Sequence, residues 1–181
     1  PLRPAMVNLN DIVGEVTDLL RRTLGSNIEV VEQLDPDIPS VMVDPGELQQ
    51  ALVNLAIIAR DAMPDGGTLT IRTEMAVLGS EDTTQHADLV PGSYVMLLVS
   101  DTGVGMSPNI VERVFEPFFT TKSGGQRSGL GLSMVYGFLK QSGGQISVQS
   151  EEGSATVFKL FFPRASAAGA VGPGAPLDKA G

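Results

Sequence analysis

Residues 47–61 read ELQQALVNLAIIARD and indicate the long helix around which the rest of the fold is organised. Apolar residues recur at positions 48, 52, 55, 59 and 62, which is the spacing of one helix face. Glu47, Asn54 and Asp61 are seven residues apart and form a polar stripe along another face. Ile58 interrupts this stripe and lies off the apolar face. The pattern therefore predicts a helix with a functional polar stripe, and Ile58 is an apolar residue within that stripe.

The residues on either side of this helix predict where it begins and ends. A short strand, SVMVD (40–44), comes first, and Asp44 is placed to cap the helix. Pro45 suits the first helical position, and Glu47 follows the cap by three residues. The turn PDGG (64–67) then ends the helix at about Met63.

The same rules predict the remaining elements and the fold class. Apolar spacing predicts a helix over 10–24, with Asn10 as its N-cap and Gly25 at its end. Alternation predicts strands over 27–34 and 68–78, and an apolar run predicts a buried strand over 93–101. A helix is predicted over 129–143 and a terminal hairpin over 144–162. The order predicts a two-layer α/β sandwich, with a mixed, mainly antiparallel sheet covered by helices on one face.

Composition limits the classes of protein to which the chain can belong. Its 181 residues are 42% hydrophobic, enough for one domain with a core, and contain no apolar run long enough for a membrane span. The chain has no Cys, which excludes disulfides and thiolate metal sites and is typical of a cytoplasmic protein. A net charge of −9 disfavours nucleic acid as a partner. Residues 1–8 are interpreted as a connector, 9–163 as the domain, and 164–181 as a flexible Ala/Gly/Pro-rich tail.

A second segment, DTGVGM (101–106), directly follows a predicted buried strand. Asp101 ends that strand, where its carboxylate can accept a hydrogen bond from an exocyclic amine such as that of adenine. Gly103 and Gly105 allow the backbone to approach a ligand closely. Taken alone, the segment fits a tight turn equally well.

A third segment, FEPFFTTK (115–122), leads into the Gly-rich run SGGQRSGLGLS (123–133). This run enters a predicted helix, so exposed backbone amides and the helix dipole could bind an anion. A flexible surface loop is the alternative interpretation.

Together and in this order, the segments resemble the ATP-binding catalytic domain of sensor histidine kinases, in the GHKL superfamily with gyrase B and the heat-shock chaperone ATPases. Residues 47–61 resemble the N box, DTGVGM the G1 box, FEPFFTTK the F box and SGLGLS the G2 box. The resemblance covers about residues 8–163, and the sequences of the motifs are most similar to those of the nitrogen-regulator and hybrid kinases. It implies a Bergerat fold, ATP or ADP with Mg²⁺ as cofactors, and a cytoplasmic, bacterial two-component phosphotransferase.

The resemblance also implies a role for each matching residue. Glu47, Asn54 and Lys122 are implied as catalytic, with Asn54 also on Mg²⁺ and Glu47 orienting or deprotonating the attacking group. Asp101 is implied to bind the adenine amino group, and Thr156 to lie near the base. The implied cofactor-binding set is Asn54, Asp61, Asp101, Gly103, Gly105, Met106, Lys122, Gly129, Leu130, Gly131, Leu132 and Thr156.

The sequence departs from the family pattern at two positions. Ile58 stands where the N box carries a second Asn, a principal Mg²⁺ ligand, and a hydrocarbon side chain offers no oxygen to a hard cation. We therefore expect weakened Mg²⁺ binding and activity. Arg127 stands where Gly is frequent, and it could either contact phosphate or hinder loop closure.

The phosphoacceptor is expected elsewhere. His86, the single His, lies in a polar loop without an acidic neighbour. The implied partners are a dimerisation and phosphotransfer domain of the same protein and a response regulator receiver domain, with no nucleic acid and no membrane contact by this fragment. A degenerate domain acting as a nucleotide- or protein-binding regulatory module is the alternative. An anti-sigma-type Ser kinase fits less well because such chains usually lack a clear F box. A gyrase-type ATPase is less favoured because it needs long additional domains.

Overall fold

A five-stranded sheet, covered by helices, forms the centre of the molecule. The computed structural model describes residues 3–79, 90–116 and 130–165. The elements run in the order β1 Ala5–Val7, α1 Leu9–Thr23, β2 Ile28–Leu34, β3 Val41–Val43, α2 Pro45–Ala62, β4 Gly67–Leu78, β5 Gly92–Asp101, α3 Pro108–Arg113, α4 Leu130–Gln141, β6 Gln145–Glu151 and β7 Ala155–Pro163. The predicted helices and strands are confirmed, and α3 is an addition that the sequence analysis did not predict.

The sheet has the strand order β2-β4-β5-β7-β6. β2 is parallel to β4, and the other neighbours are antiparallel. A separate two-stranded sheet pairs β1 with β3. Alternate residues of β5, such as Val95, Leu97 and Val99, point into the main core with the helices, whereas Met96 and Leu98 belong to a second cluster. The predicted two-layer sandwich with a mixed, mainly antiparallel sheet is therefore confirmed.

Helix α2 begins as its flanking residues predicted. The Asp44 carboxylate accepts hydrogen bonds from the amides of Gly46 and Glu47 at 2.9 and 3.2 Å, and Pro45 opens the helix. Its buried residues are Leu48, Ala51, Leu52, Leu55, Ala56 and Ala59. α2 contacts α1 and α4 as well as the sheet. Its buried face is therefore wider than that of a helix that packs only against a sheet.

This wider face corrects the expectation for Ile58. The spacing of apolar residues predicted Ile58 off the apolar face, but its side chain is half-buried and packs against the main core. The register of apolar residues along a single helix does not reveal such a contact with the rest of the core. The absence of an oxygen donor at position 58 is unaffected.

The cap of α1 is also corrected. Asn8, rather than Asn10, is the N-cap, and its Oδ1 accepts a hydrogen bond from the Asn10 amide at 2.8 Å. The Asn10 side chain is used elsewhere, because its Nδ2 donates to the Asp35 carbonyl and its Oδ1 accepts from the Thr73 hydroxyl.

Both ends of the described chain contact the domain. Ala5–Val7, within the predicted connector, pairs with Val41–Val43. The Ala165 amide donates to the Ser40 carbonyl at 3.1 Å, two residues beyond the predicted boundary at 163. The rest of the predicted tail lies outside the described residues. None of the described helices is long and apolar enough to cross a membrane.

Candidate functional site

Three polar side chains form a row across neighbouring strands at one end of the sheet. Asp101 ends β5 and pairs in register with Thr156 of β7, which pairs in turn with Ser150 of β6. All three lie on the face of the sheet that carries the helices, because they continue the alternation of the core residues on their strands. Asp101 is 3% exposed and Thr156 is 4% exposed. The sheet thus ends in a polar row of two buried side chains and half-buried Ser150.

The carboxyl group of Asp101 is held in an electrostatically costly position. Burial raises its pKa above the ordinary value, and backbone hydrogen bonds from Gly103 and Thr156 offset part of that rise. The Gly103 amide donates to Asp101 Oδ1 at 2.8 Å. A ligand with an N–H donor would add a partner for the ionised form, as the amino group of adenine can.

The glycine turn, residues 101–106, is gripped between two other parts of the chain. A Cβ at Gly103 would overlap the Ala62 carbonyl at the end of α2, and the Val104 amide donates to that oxygen at 2.9 Å. Gly105 has a positive φ of 71°, and a Cβ there would overlap the carbonyl oxygen of Glu151. The sequence predicts that both glycines let the backbone approach a ligand. In the structure they approach the protein's own backbone, and the approach to a ligand stays a prediction.

Ser150 contributes to the site, and the sequence analysis missed it. Its Oγ accepts a hydrogen bond from the Met106 amide at 2.7 Å, lies 2.7 Å from Thr156 Oγ1 and donates to the Ala155 carbonyl at 2.9 Å. The amide of Met106 is therefore engaged by the protein. No local sequence signal marks a Ser in a strand for such a contact, which joins residues 44 positions apart.

Helix α2 carries the polar stripe along its length. Glu47 is exposed, and half-buried Asn54 accepts a hydrogen bond from Gln50 Nε2 at 3.0 Å. Within the described part of the chain, no group of three or more His, Cys, Asp or Glu side chains could hold a metal ion. Asn54 offers one amide oxygen and Ile58 offers none, so the described stripe does not fit a strong Mg²⁺ site.

Asp61 lies at the far end of the stripe, beside a cleft of about 390 Å³. Its Oδ1 is 3.5 Å from Arg60 Nη2. Asp101 does not line this cleft, whose described walls are Leu24, Asn27, Ile28, Arg60, Asp61, Met63 and Pro64. Contact between Asp61 and a cofactor stays a prediction.

Helix α4 lies beside α2 and carries three of the predicted site residues, Leu130, Gly131 and Leu132. It starts at Leu130, and Gly131 and buried Leu132 are in its first turn. α4 packs against α2, and the ring of Tyr136 lies 5.5 Å from that of Phe115, at the start of the predicted F box. Other predicted positions lie outside the described residues: His86, Lys122, Arg127 and Gly129.

Comparison with known proteins identifies the family. A family model for histidine kinase-, DNA gyrase B- and HSP90-like ATPases matches residues 43–166. The chain belongs to this ATPase family. Sensor kinase CckA of Brucella abortus (strain 2308) is 45% identical over 163 residues, which is 90% of this chain but 17% of that relative. The chain thus spans less than a fifth of the length of this relative.

Solved structures place the fold in the same ATPase family. The catalytic domain of histidine kinase ThkA has a TM-score of 0.70 and 27% identity, over 90% of this chain and 97% of that one. Full-length ShkA, solved in complex with AMPPNP, has a TM-score of 0.69 and 25% identity, over 96% of this chain and 33% of that one. The fold is therefore that of the histidine kinase ATPase domain, and the resemblance drawn from the sequence is confirmed.

Proposed function

We propose that the chain is the ATP-binding catalytic part of a two-component sensor histidine kinase and transfers the γ-phosphoryl group of ATP to a His on a separate dimerisation domain. In this reaction an imidazole nitrogen of the acceptor bonds to the γ-phosphorus while the bond to the oxygen of the leaving ADP breaks. The observation that carries the proposal is the buried Asp101–Thr156 pair beside the glycine turn, in a chain of this ATPase family.

The chain's residues would act by positioning and charge. Asp101 would accept a hydrogen bond from the adenine amino group. Asn54 and Lys122 would lie along the phosphates, and Glu47 would orient or deprotonate the attacking imidazole. The start of α4, near Gly131, would present backbone amides to the phosphates.

Mg²⁺ would be held weakly. The cation prefers oxygen ligands, and Ile58 presents hydrocarbon where a second oxygen donor would strengthen the site. We therefore infer that nucleotide binding depends mainly on the base and the protein's own contacts, and that phosphotransfer is slow.

The proposed partners follow from the reaction. A dimerisation domain of the same protein would supply the acceptor His, and the receiver domain of a response regulator would take the phosphoryl group from it. The proposed location is the bacterial cytoplasm, whether or not the parent protein is anchored in a membrane.

The test is the variant Ile58→Asn, which restores an amide oxygen. We expect its affinity for ATP in the presence of Mg²⁺ to rise at least about tenfold, because even indirect metal ligands change affinity by that much. Its affinity in EDTA should not change, and phosphotransfer to a supplied acceptor domain should rise. Calorimetric titration of ATP and ADP, with and without Mg²⁺, measures the binding.

The conservative variant Ile58→Val is the matched control, since it keeps an apolar side chain at the same position. It should behave as the original chain does in both buffers. An equal gain in EDTA, or no gain in Mg²⁺, would contradict the proposed role of Ile58.

A regulatory module without phosphotransfer is the second candidate, and the half-buried Ile58 favours it. A module of this kind would bind ADP and ATP equally well with and without Mg²⁺. It would also fail to phosphorylate the acceptor even as Ile58→Asn.

A further inference from the structure

We propose that Ser150 is a positioning residue that fixes the direction of the Thr156 hydroxyl and thereby makes the base site selective for adenine over guanine. The inference rests on the proposed nucleotide function and adds a specificity residue to it. It starts from the row Asp101–Thr156–Ser150, which crosses three strands at the end of the sheet.

The hydrogen bonds of Ser150 use its whole hydroxyl capacity. A hydroxyl has one proton to donate and two lone pairs that accept. Ser150 Oγ accepts from the Met106 amide at 2.7 Å and donates to the Ala155 carbonyl at 2.9 Å. One lone pair remains, and Thr156 Oγ1 lies 2.7 Å away.

This arrangement assigns the proton between Ser150 and Thr156. Because the single proton of Ser150 is given to Ala155, the short contact requires Thr156 to donate its own proton to Ser150. Thr156 Oγ1 is then left with lone pairs only. Towards anything else in the site, the Thr156 hydroxyl acts as an acceptor.

Two acceptors therefore lie side by side at the strand ends. The ionised carboxylate of Asp101 accepts hydrogen bonds, and Thr156 Oγ1 does so too once Ser150 has taken its proton. The 6-position of adenine carries an amino donor, whereas that of guanine carries a carbonyl acceptor. The pair thus favours adenine and repels guanine, because unpaired acceptors facing each other lose their hydrogen bonds.

Ser150 also fixes the position of the glycine turn. Its bond to the Met106 amide joins the end of the turn to β6, at the same place where Gly105 packs on the Glu151 carbonyl. Loss of the Ser150 hydroxyl would free the Thr156 hydroxyl to rotate and donate, and would leave the Met106 amide without this partner.

The experiment compares the affinities for ADP and GDP of Ser150→Ala, Ser150→Thr and Ser147→Ala with those of the original chain. Ser147 lies three residues earlier on β6, on the opposite face of the sheet, so its variant is the matched control. Titrations are performed in EDTA, and hydrogen exchange of the Met106 amide is followed without nucleotide.

For Ser150→Ala we expect ADP affinity to fall about tenfold, the ADP-to-GDP affinity ratio to fall by a similar factor, and the Met106 amide to exchange faster. Ser150→Thr keeps the hydroxyl and should restore the ratio to within about threefold. Ser147→Ala should leave the ratio unchanged.

The outcomes separate this inference from the proposed function. The inference is overturned, and the proposed function stands, if the original chain binds ADP but Ser150→Ala leaves the ADP-to-GDP affinity ratio unchanged. That result includes an equal loss of affinity for both nucleotides and no loss for either. If the original chain binds no adenine nucleotide at millimolar concentration, both are overturned.

Discussion

At the scale of single residues, Asp101 is subject to opposite demands from stability and binding. Burial raises the pKa of this carboxyl, so its ionised form is disfavoured in the folded protein. Under the proposed function, this ionised form would accept a hydrogen bond from the amino group of adenine. Asp101 would then serve the ligand at the expense of the unliganded fold.

The variant Asp101→Asn tests this conflict through stability. A pKa that is higher in the folded than in the unfolded state makes the free energy of unfolding fall as pH rises from the ordinary value of 3.8 to the raised one. Asn cannot ionise, so the variant avoids that loss. We expect Asp101→Asn to be more stable than the original chain at pH 7, and the difference to shrink below pH ~4.

Urea denaturation at the two pH values measures this difference. Asp65→Asn, which removes an exposed carboxyl in the turn after α2, is the control and should change stability little at pH 7. A variant Asp101→Asn that is less stable at pH 7, or that shows no dependence on pH, would contradict the account of this residue.

At the scale of elements, the glycine turn depends on contacts at both of its sides. α2 ends against Gly103 and Val104, and the turn between β6 and β7 lies against Gly105. The Gly153 amide of that turn also donates to the Val104 carbonyl. The candidate base site therefore combines the glycine turn, the end of α2 and the turn between β6 and β7, which are distant in sequence.

Gly105→Ala and Gly153→Ala form a matched pair that tests this packing. Both glycines have positive φ, 71° and 85°, but only the Cβ at Gly105 would meet other atoms of the protein. We expect Gly153→Ala to cost about 1 kcal/mol of unfolding free energy for the backbone conformation alone. Gly105→Ala should cost about 3 kcal/mol or more, because overlap with a backbone carbonyl is added.

Chemical denaturation and ADP titration of both variants provide the comparison. Gly105→Ala is expected to weaken ADP binding as well, whereas Gly153→Ala should change it less. Equal costs for the two substitutions would show that the contact with Glu151 does not shape the turn.

Elements with strong local signals could be predicted from the sequence. Asp44 and Pro45 marked the start of α2, because a capping carboxylate and a first-turn proline act within a few residues. Helix α3 was missed although Pro108 opens it, since its six residues show no long apolar face and Ser107 makes no side-chain capping bond. The cap of α1 was misplaced because Asn8 and Asn10 are equally good caps in isolation.

The residues of the candidate site also differ in whether a local sequence signal marks them. Asp101 and its glycines could be predicted, because a carboxylate after a buried strand and closely spaced glycines are local features. Ser150 could not, since its partner Met106, in the turn after β5, is brought to it only by the pairing of β7 with both β5 and β6. The packing of Ile58 against the main core was also not evident from the register of its own helix.

At the scale of the whole molecule, two regions of the described residues are candidates for the position of the base. One is the end of β5, β6 and β7, where Asp101 and Thr156 are buried beside the glycine turn. The other is the cleft of about 390 Å³ at the end of α2. We propose that the adenine base binds at the first.

Backbone amide chemical shifts of the labelled domain during ADP titration test this assignment most directly. We expect the largest saturable shifts at the amides of Gly103, Gly105 and Thr156, and small shifts at Asn27 beside the cleft. Shifts concentrated around Asn27, or none at millimolar ADP, would contradict the assignment.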